Sequence, residues 1–538
     1  MTNSEFRIPA CRQAGRILNS EFERPPKAGF RKVDGVAANP DRVQHLSETT
    51  VRGTLRKLLM PAQSNLLSRS GMVSYSVGEC ANSLLMNSLF GFAMLYYTDA
   101  LGLQHSLAGI AMSVAVFWDA VTDPVMGHIT DTTRSRFGRR HPYLLLGGVA
   151  VTVTYVFLWY VPGVVRSDTL ALFWYLVVIN LLQRTAITVF AIPYVALGFE
   201  ICTDYEGRVR LQGIRSAMNM VANLLGPALA WSIFFSNNEP VRATSLPENY
   251  LHMGLMFAIV SLLCILFVLF STRKYIKDSR QLMTERNGVT GLFRDIKGIL
   301  SDFYPRYVFI FILTVTVGVA LVSSLQMYLY EHFMKFSGVE KSVAHGGTMI
   351  GFAVGALVGE SLTRRFEKKG TVYVGGFTSI GSNFILAGLF LSGVLAPGQS
   401  ATVFAWTIPY AFVIFVLFQG LYWLGNGVIF PTATSMIADV SEIHEIKTGM
   451  NKDGAYAAIF TFTQKCAISV GVLISGYLLT LIGFETGTGL VQSPETVWKL
   501  CGVTLLVGPL VSLLSLRLIR LYPVDKELLL RLRSEQPE

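Results

Sequence analysis

The sequence predicts an all-α membrane protein of twelve transmembrane helices, arranged as two six-helix pseudo-repeats. Three observations predict it. Of 538 residues, 51% are hydrophobic and 15% are charged, with a mean hydropathy of +0.47, whereas a soluble chain carries about 25% charged residues. Apolar runs long enough to cross a bilayer, about 20 residues each, recur twelve times. The two halves of the chain also echo one another.

Residues 1–70 hold several Arg and Lys, Pro25 and Pro26, and no spanning run or signal-peptide core. They are expected to form a basic, disordered cytoplasmic arm able to touch anionic headgroups. An overlong start, with foldable chain beginning near Met72, is the alternative. The candidate spans are 72–98, 106–129, 143–162, 170–199, 212–236, 250–271, 305–330, 345–362, 372–393, 402–430, 455–483 and 499–520. They divide into an N-terminal half (71–272), a central cytoplasmic loop (273–304), a C-terminal half (305–522) and a cytoplasmic tail (523–538).

The loops alternate in charge. One side carries Arg134, Arg136, Arg139 and Arg140, then Arg208 and Arg210, the cluster from Arg273 to Arg306, Arg364, Arg365, Lys368 and Lys369, and Lys447 and Lys452. The other carries Arg166, Arg242, Lys335, Lys341 and Lys499. The positive-inside rule places the basic side, and with it both termini, in the cytoplasm of a multi-pass inner or plasma membrane protein. It also accounts for the net charge of +10. Nucleic-acid binding is disfavoured, because most of the basic residues sit in short loops between apolar runs. The six cysteines are scattered without a CxxC, so neither a disulfide nor a metal site is expected.

The halves echo at IPYVAL (192–197) and IFPTAT (429–434), each followed by acidic residues. They echo again at GHITDTTRSRFGRRHPYLLLGG (127–148) and GESLTRRFEKKGTVYVGG (359–376). Such repeats around a central loop mark a transporter architecture with its substrate at the midplane.

Asp119, Thr122 and Asp123 are spaced i, i+3 and i+4, on one face of the second span. Each acid at that depth costs about 2.5–3.5 kcal/mol. Two close carboxylates repel, so one holds a proton or both share a cation, and carboxylate and hydroxyl oxygens suit a hard ion such as Na⁺. The bland alternative is that both acids are ion-paired to a neighbouring helix for structure. Arg184 lies one turn before Thr188, Lys465 lies in span 11 and Glu79 in span 1. Counted together, these are three acids against two bases, leaving one negative charge for a cation to neutralise. Arg184 either pairs with Glu79 or Asp119 or contacts an anionic or hydroxyl-rich substrate.

In the loop after span 2, Gly127 is expected to allow close helix approach and Gly138 a turn. Asp131, Arg134, Arg136, Arg139 and Arg140 are expected to pair with acids such as Glu200, Asp204 or Glu206 and so latch the cytoplasmic side, or to serve topology alone. Pro124, Pro193 and Pro431 kink their helices. Tyr96, Tyr97, Trp159, Trp174, Trp406 and Trp423 read as interface belt or packing. No nucleophile–base set, metal motif or phosphate loop points to an enzyme.

WDAVTDPVMGHITDTTRSRFGRRHPY (118–143), YYTDALGL (96–103), TVFAIPYVALGFE (188–200) and SMIADVSEIHEIKTGMNKDGAYAAIFTFTQK (435–465) together resemble the glycoside–pentoside–hexuronide:cation symporters. These are melibiose-permease-like members of the major facilitator superfamily. The chain is expected to act as a monomer on a small-molecule substrate, and the resemblance implies twelve helices and alternating access. It also implies Na⁺, H⁺ or Li⁺ coupling, with no cofactor beyond that ion. Asp119, Thr122, Asp123 and Thr188 fall on the cation site of the melibiose-type members, with Thr122 in place of a common Asn. Lys465 falls on the family's span 11 lysine and Arg215 on a span 5 arginine used by sugar permeases. The two carboxylates that grip a galactoside correspond to Ser83 and Ala191, and a Trp to Val195, so the galactoside pocket is not preserved. Arg184, Arg215, Lys465, Ser83 and its neighbour Asn82 are the expected substrate contacts. Arg184 stands where a small residue is usual, which raises anionic substrates, including lysophospholipid, as an alternative. A sensor on a transporter scaffold is the rival from another class.

Overall fold

A computed structural model of the chain describes residues 68–202, 205–235, 243–276, 302–403, 406–448, 453–487, 491–522, 524, 527–528 and 531–532. Most of the expected basic arm, central loop and tail lies outside them, as do Asp204, Arg242, Lys452 and the side chains of Glu206, Arg208 and Trp406.

Helix starts follow local chemistry. Ser68 accepts the Gly71 N–H (3.1 Å) and opens α1, Arg69–Leu95. α2 is His105–Thr132 and contains Pro124. Gly138, at φ +75°, turns the chain into α3, His141–Trp159, with a proline in its first turn. Asp168 accepts two backbone N–H groups and opens α4, Thr169–Ile201, which contains Pro193. α5 is Tyr205–Leu229 and α6 is Pro247–Thr272. The second half begins with α7, Phe303–Tyr328.

Ser337 and Glu340 form a capping box that opens a helix over Gly338–Leu391. Glu367 (φ +56°, ψ 175°) breaks it into α8, 338–366, and α9, 368–391. Span 8 therefore starts seven residues earlier than its apolar run at 345, and Lys341 lies inside it rather than in a loop.

Span 10 is corrected at both ends. Thr402, Val403, Thr407 and Ile408 favour extended chain, and Ala401–Val403 pairs antiparallel with Trp406–Ile408. After Pro409, α10 runs Tyr410–Thr448 through Pro431, well past the apolar run. α11 is Asp453–Leu481. α12 comprises Pro494–Gly502, a π-helical turn Val503–Val507 and Gly508–Ile519.

Among the described residues, ten helices are long and apolar enough to cross a membrane. Dividing one at Glu367 and adding α1, whose 27 residues reach about 40 Å, gives twelve.

Each half packs on itself through close helix pairs. A Cβ on Gly147 of α3 would lie 2.6 Å from the Phe190 backbone N of α4. Gly127 needs no such role, because its Cβ would meet only Ile192, at 3.9 Å. The halves meet chiefly along α2 with α11 and α5 with α8. Ser113 Oγ lies 2.8 Å from Ser469 Oγ, and Ser106 N donates to Thr480 Oγ1 (3.1 Å). Ser342 Oγ donates to Ala228 O (3.2 Å). Wherever both partners are described, these inter-half bonds lie between mid-depth and the end opposite the basic loops.

Candidate functional site: an acid cluster beside a cavity between the halves

α2 carries Asp119 and Asp123 one turn apart, and α4 carries Arg184 and Thr188 one turn apart. Packing α2 on α4 brings the four together. Thr188 Oγ1 lies 2.9 Å from Asp119 Oδ1 and 2.8 Å from Asp123 Oδ1. Thr122 Oγ1 is 3.4 Å from Thr188 Oγ1. One hydroxyl has one proton and so donates to one of these carboxylates at a time. The other close oxygen contact is favourable only when that carboxyl carries a proton or a cation lies between.

Both acids also have basic partners. Arg184, 1% exposed, reaches Asp119 (3.4 Å). Lys465 Nζ crosses from α11 to Asp119 (3.0 Å) and pairs directly with Asp123. The charge count is therefore corrected. Arg215, absent from that count, holds Glu79 through Nη2 (2.7 Å) and Nε (3.2 Å). Among the described residues Asp119, Asp123 and Glu79 are matched by Arg184, Lys465 and Arg215, so no net negative charge is left over in this set. Among the described residues no group of three or more His, Cys, Asp and Glu could hold a metal ion. The cluster offers two carboxylates and two hydroxyls, a donor set for a proton or a hard monovalent cation.

Beside the cluster lie two adjoining chambers between the halves, about 230 and 270 Å³, that share Asn87, Phe90 and Ser323. The first is further lined by Asn223, Gln326, His345 and Trp423. The second is lined by Thr316, Phe430, Gln464 and Val472. Together they fall in the small-ligand range of about 300–1,000 Å³. Trp423, read as packing, lines the cavity, and its Nε1 has no hydrogen-bond partner among the described residues. Of the other aromatics, Tyr96, Tyr97 and Trp159 are fully buried packing, while Trp174 is exposed.

The expected substrate contacts are placed differently. Arg184 sits behind Phe90 (4.9 Å to the ring centroid) as the partner of Asp119 and does not line these chambers. Arg215 lines a separate recess of about 230 Å³ with Glu79, Gln212, Ser216, Asn219 and Met220. Ser83 bonds Asn87 (3.0 Å) and the Asn219 carbonyl (3.3 Å), one turn from the cavity, and half-buried Asn82 does not line it either. Asn87 was missed because Asn in an apolar run carries no motif.

Among the described residues the basic loop after α2 is a staple within one half and makes no bond between halves. Arg139 and Arg140 both hold Glu200 at the end of α4 (2.7 and 2.8 Å). Arg140 also holds Asp131 (2.5 Å) and Thr130 (2.6 Å). Arg134 and Arg136 have no carboxylate partner among the described residues. The second half repeats the device, with Lys368 on Asp439 of α10 (2.6 Å).

The latch between halves lies at the opposite end. π-helical turns extend α1, α5 and α7 there, over Tyr96–Ala100, Ala230–Phe234 and Leu329–Phe333. Asp99 pairs with His332 (2.7 Å) and Thr98 with Tyr328 (2.6 Å), across the halves. Lys341, 0% exposed, pairs with Glu331 and lies 4.4 Å from the Trp231 ring centroid. Thr244 donates to Glu331 (3.1 Å). The YYTD segment and the capping box before Lys341 were the available signals.

The family model described as MFS/sugar transport protein matches residues 74–526. The chain belongs to that family. It is a multi-pass membrane transporter rather than an enzyme by family. It is 24% identical over 467 residues to the "Glucuronide carrier protein homolog" of Escherichia coli K12, covering 86% of this chain and 94% of that one. It is 21% identical over 533 residues to the "Sodium-dependent lysophosphatidylcholine symporter 1-A" of Danio rerio, covering 91% and 94%. The crystal structure of a D-xylose-proton symporter matches with a TM-score of 0.56 at 13% identity, over 84% of this chain and 97% of that one. That likeness speaks to the fold alone.

Proposed function

We infer that this transporter couples a cation gradient to movement of a small hydroxyl-rich substrate, a sugar or glycoside, by alternating access. The observation that carries this reading is Lys465. It reaches from α11 across the halves to Asp119 and Asp123, and its chain neighbour Gln464 lines the cavity. In the ion-free state the lysine ammonium occupies the place of the coupling ion. An arriving cation competes for the same oxygens and frees Lys465 to turn towards the cavity. Cation and substrate then raise each other's affinity by equal factors. The shared Thr188 hydroxyl favours a proton as the coupling ion, with Na⁺ the other outcome to be tested.

With the basic loops in the cytoplasm, the closed end faces outward and this conformation faces inward. Both termini are then cytoplasmic, in an inner or plasma membrane, and the transport unit is a monomer. Arg184, Arg215 and Lys465 each already face a carboxylate, so the polar, aromatic cavity suits a neutral glycoside better than a hexuronide. A second reading, lysophospholipid transport, is favoured by the apolar lining of the second chamber, which includes Val319, Ala320 and Ile468.

Uptake into proteoliposomes under imposed H⁺ or Na⁺ gradients tests the reading, with glycosides, hexuronides and lysophospholipids as labelled substrates. Gradient-driven accumulation of a glycoside is expected. Binding without flux would make the protein a sensor and overturn it.

A further inference from the structure

A groove of about 470 Å³ opens at the basic end of the second half, between α9 and α12. Its walls are Tyr373 and Phe377 on α9 and Leu510, Leu513, Leu514 and Leu516 on α12. The groove exists because α9 has glycine at 376, where Leu516 packs so close that a Cβ would meet it at 2.5 Å. Tyr373 and Phe377 stack beside that contact, with centroids 6.1 Å apart. Phe377, Leu510, Leu513 and Leu514 are all exposed, as a wall facing acyl chains would be.

The rim is charged. Arg517 and Arg520 complete the lining, and both are exposed. Among the described residues neither has a carboxylate partner. Lys369 adds a third cation and donates to the backbone carbonyls of Arg520 (2.9 Å) and Tyr522 (3.2 Å), just past the end of α12. Asp439 on α10 is held by Lys368 (2.6 Å). An apolar cleft capped by two exposed guanidiniums, at the headgroup level of the leaflet facing the basic loops, matches a lipid with an anionic head. A guanidinium fork accepts a phosphodiester through paired N–H donors.

We propose that this groove is a binding site for one anionic phospholipid of the cytoplasmic leaflet. Its phosphate is held by Arg517 and Arg520, and an acyl chain lies along Leu513, Leu514 and Phe377. The proposal rests on the cytoplasmic placement of the basic loops and is independent of what the central cavity carries. Such a lipid would brace α9 against α12 on the outer face of the second half.

The test uses the full chain in nanodiscs of equal phosphatidylglycerol and phosphatidylcholine, released into native mass spectrometry. One phosphatidylglycerol is expected to remain bound in preference to phosphatidylcholine. The double variant R517Q/R520Q is expected to lower that preference about tenfold or more, since each basic residue near the surface is worth about a factor of five. Both side chains are exposed and have no carboxylate partner among the described residues, so the denaturation midpoint in detergent should not move. Leu513→Trp, which fills the groove and leaves its charge intact, is expected to reduce retention as well. Equal retention of the two lipids, an unchanged preference in R517Q/R520Q, or full displacement of the bound lipid by millimolar inorganic phosphate would overturn the proposal.

Discussion

Replacing Lys465 by Gln isolates the competition at the acid cluster. The lysine ammonium lies 3.0 Å from Asp119 and contacts Asp123 directly. Removing it changes the cluster from balanced to one net negative charge, with Arg184 still on Asp119. Two unit charges 4 Å apart interact by about 4 kcal/mol at an effective dielectric of 20. The Lys465 side chain is 20% exposed, and solvent screening lowers this to roughly 1.5–3 kcal/mol. Affinity for the coupling cation should therefore rise roughly tenfold to a hundredfold. Cation titration of the purified variant, read by thermal stabilisation or calorimetry, measures it. Concentrative uptake should be lost at the same time, because the empty carrier no longer has its internal cation for the return step. Unchanged cation affinity in Lys465→Gln would refute the idea that lysine and ion compete for the same oxygens.

Arg184→Gln removes half of a buried pair but leaves Asp119 its contacts with Lys465 and Thr188. The expected loss is about 3 kcal/mol, the low end for breaking such a pair, seen as a lower denaturation midpoint. Neutral and anionic substrates should be affected alike, and selective loss of anionic ones would restore a substrate-facing role. Asp99→Asn weakens the outer closure by removing the charge from its bond to His332. A loss of about 1.5 kcal/mol would raise the outward-open population about tenfold. The rate at which an impermeant thiol reagent labels Asn87→Cys from outside should rise accordingly, and an unaltered rate would argue against Asp99–His332 as a closure.

The helical periodicity of the sequence was enough to put Asp119, Thr122 and Asp123 on one face, and Arg184 and Thr188 on one face of α4. These are local facts, set by 3.6 residues per turn. Which charges meet is tertiary. Glu79 and Arg215 are 136 residues apart, and nothing local pairs them, so the charge count came out one short. Hydropathy located the spans but not their polar ends. α8 begins with a capping box outside its apolar run, which is why Lys341 looked like a loop residue. α10 continues through Asp439, Glu442 and Glu445 to Thr448, a charged stretch in which apolarity does not mark a helix. The basic loops were legible as topology. Their bonding within each half, and the closure at the other end, depend on packing that no motif displays.

The most direct measurement is gradient-driven uptake against substrate exchange in proteoliposomes carrying Asp123→Asn. With one carboxylate gone, the cluster should still fold and insert, and exchange of labelled for unlabelled substrate should continue. Accumulation against a gradient should fall to the level of empty vesicles. Full concentrative uptake by Asp123→Asn would mean that the coupling ion binds elsewhere.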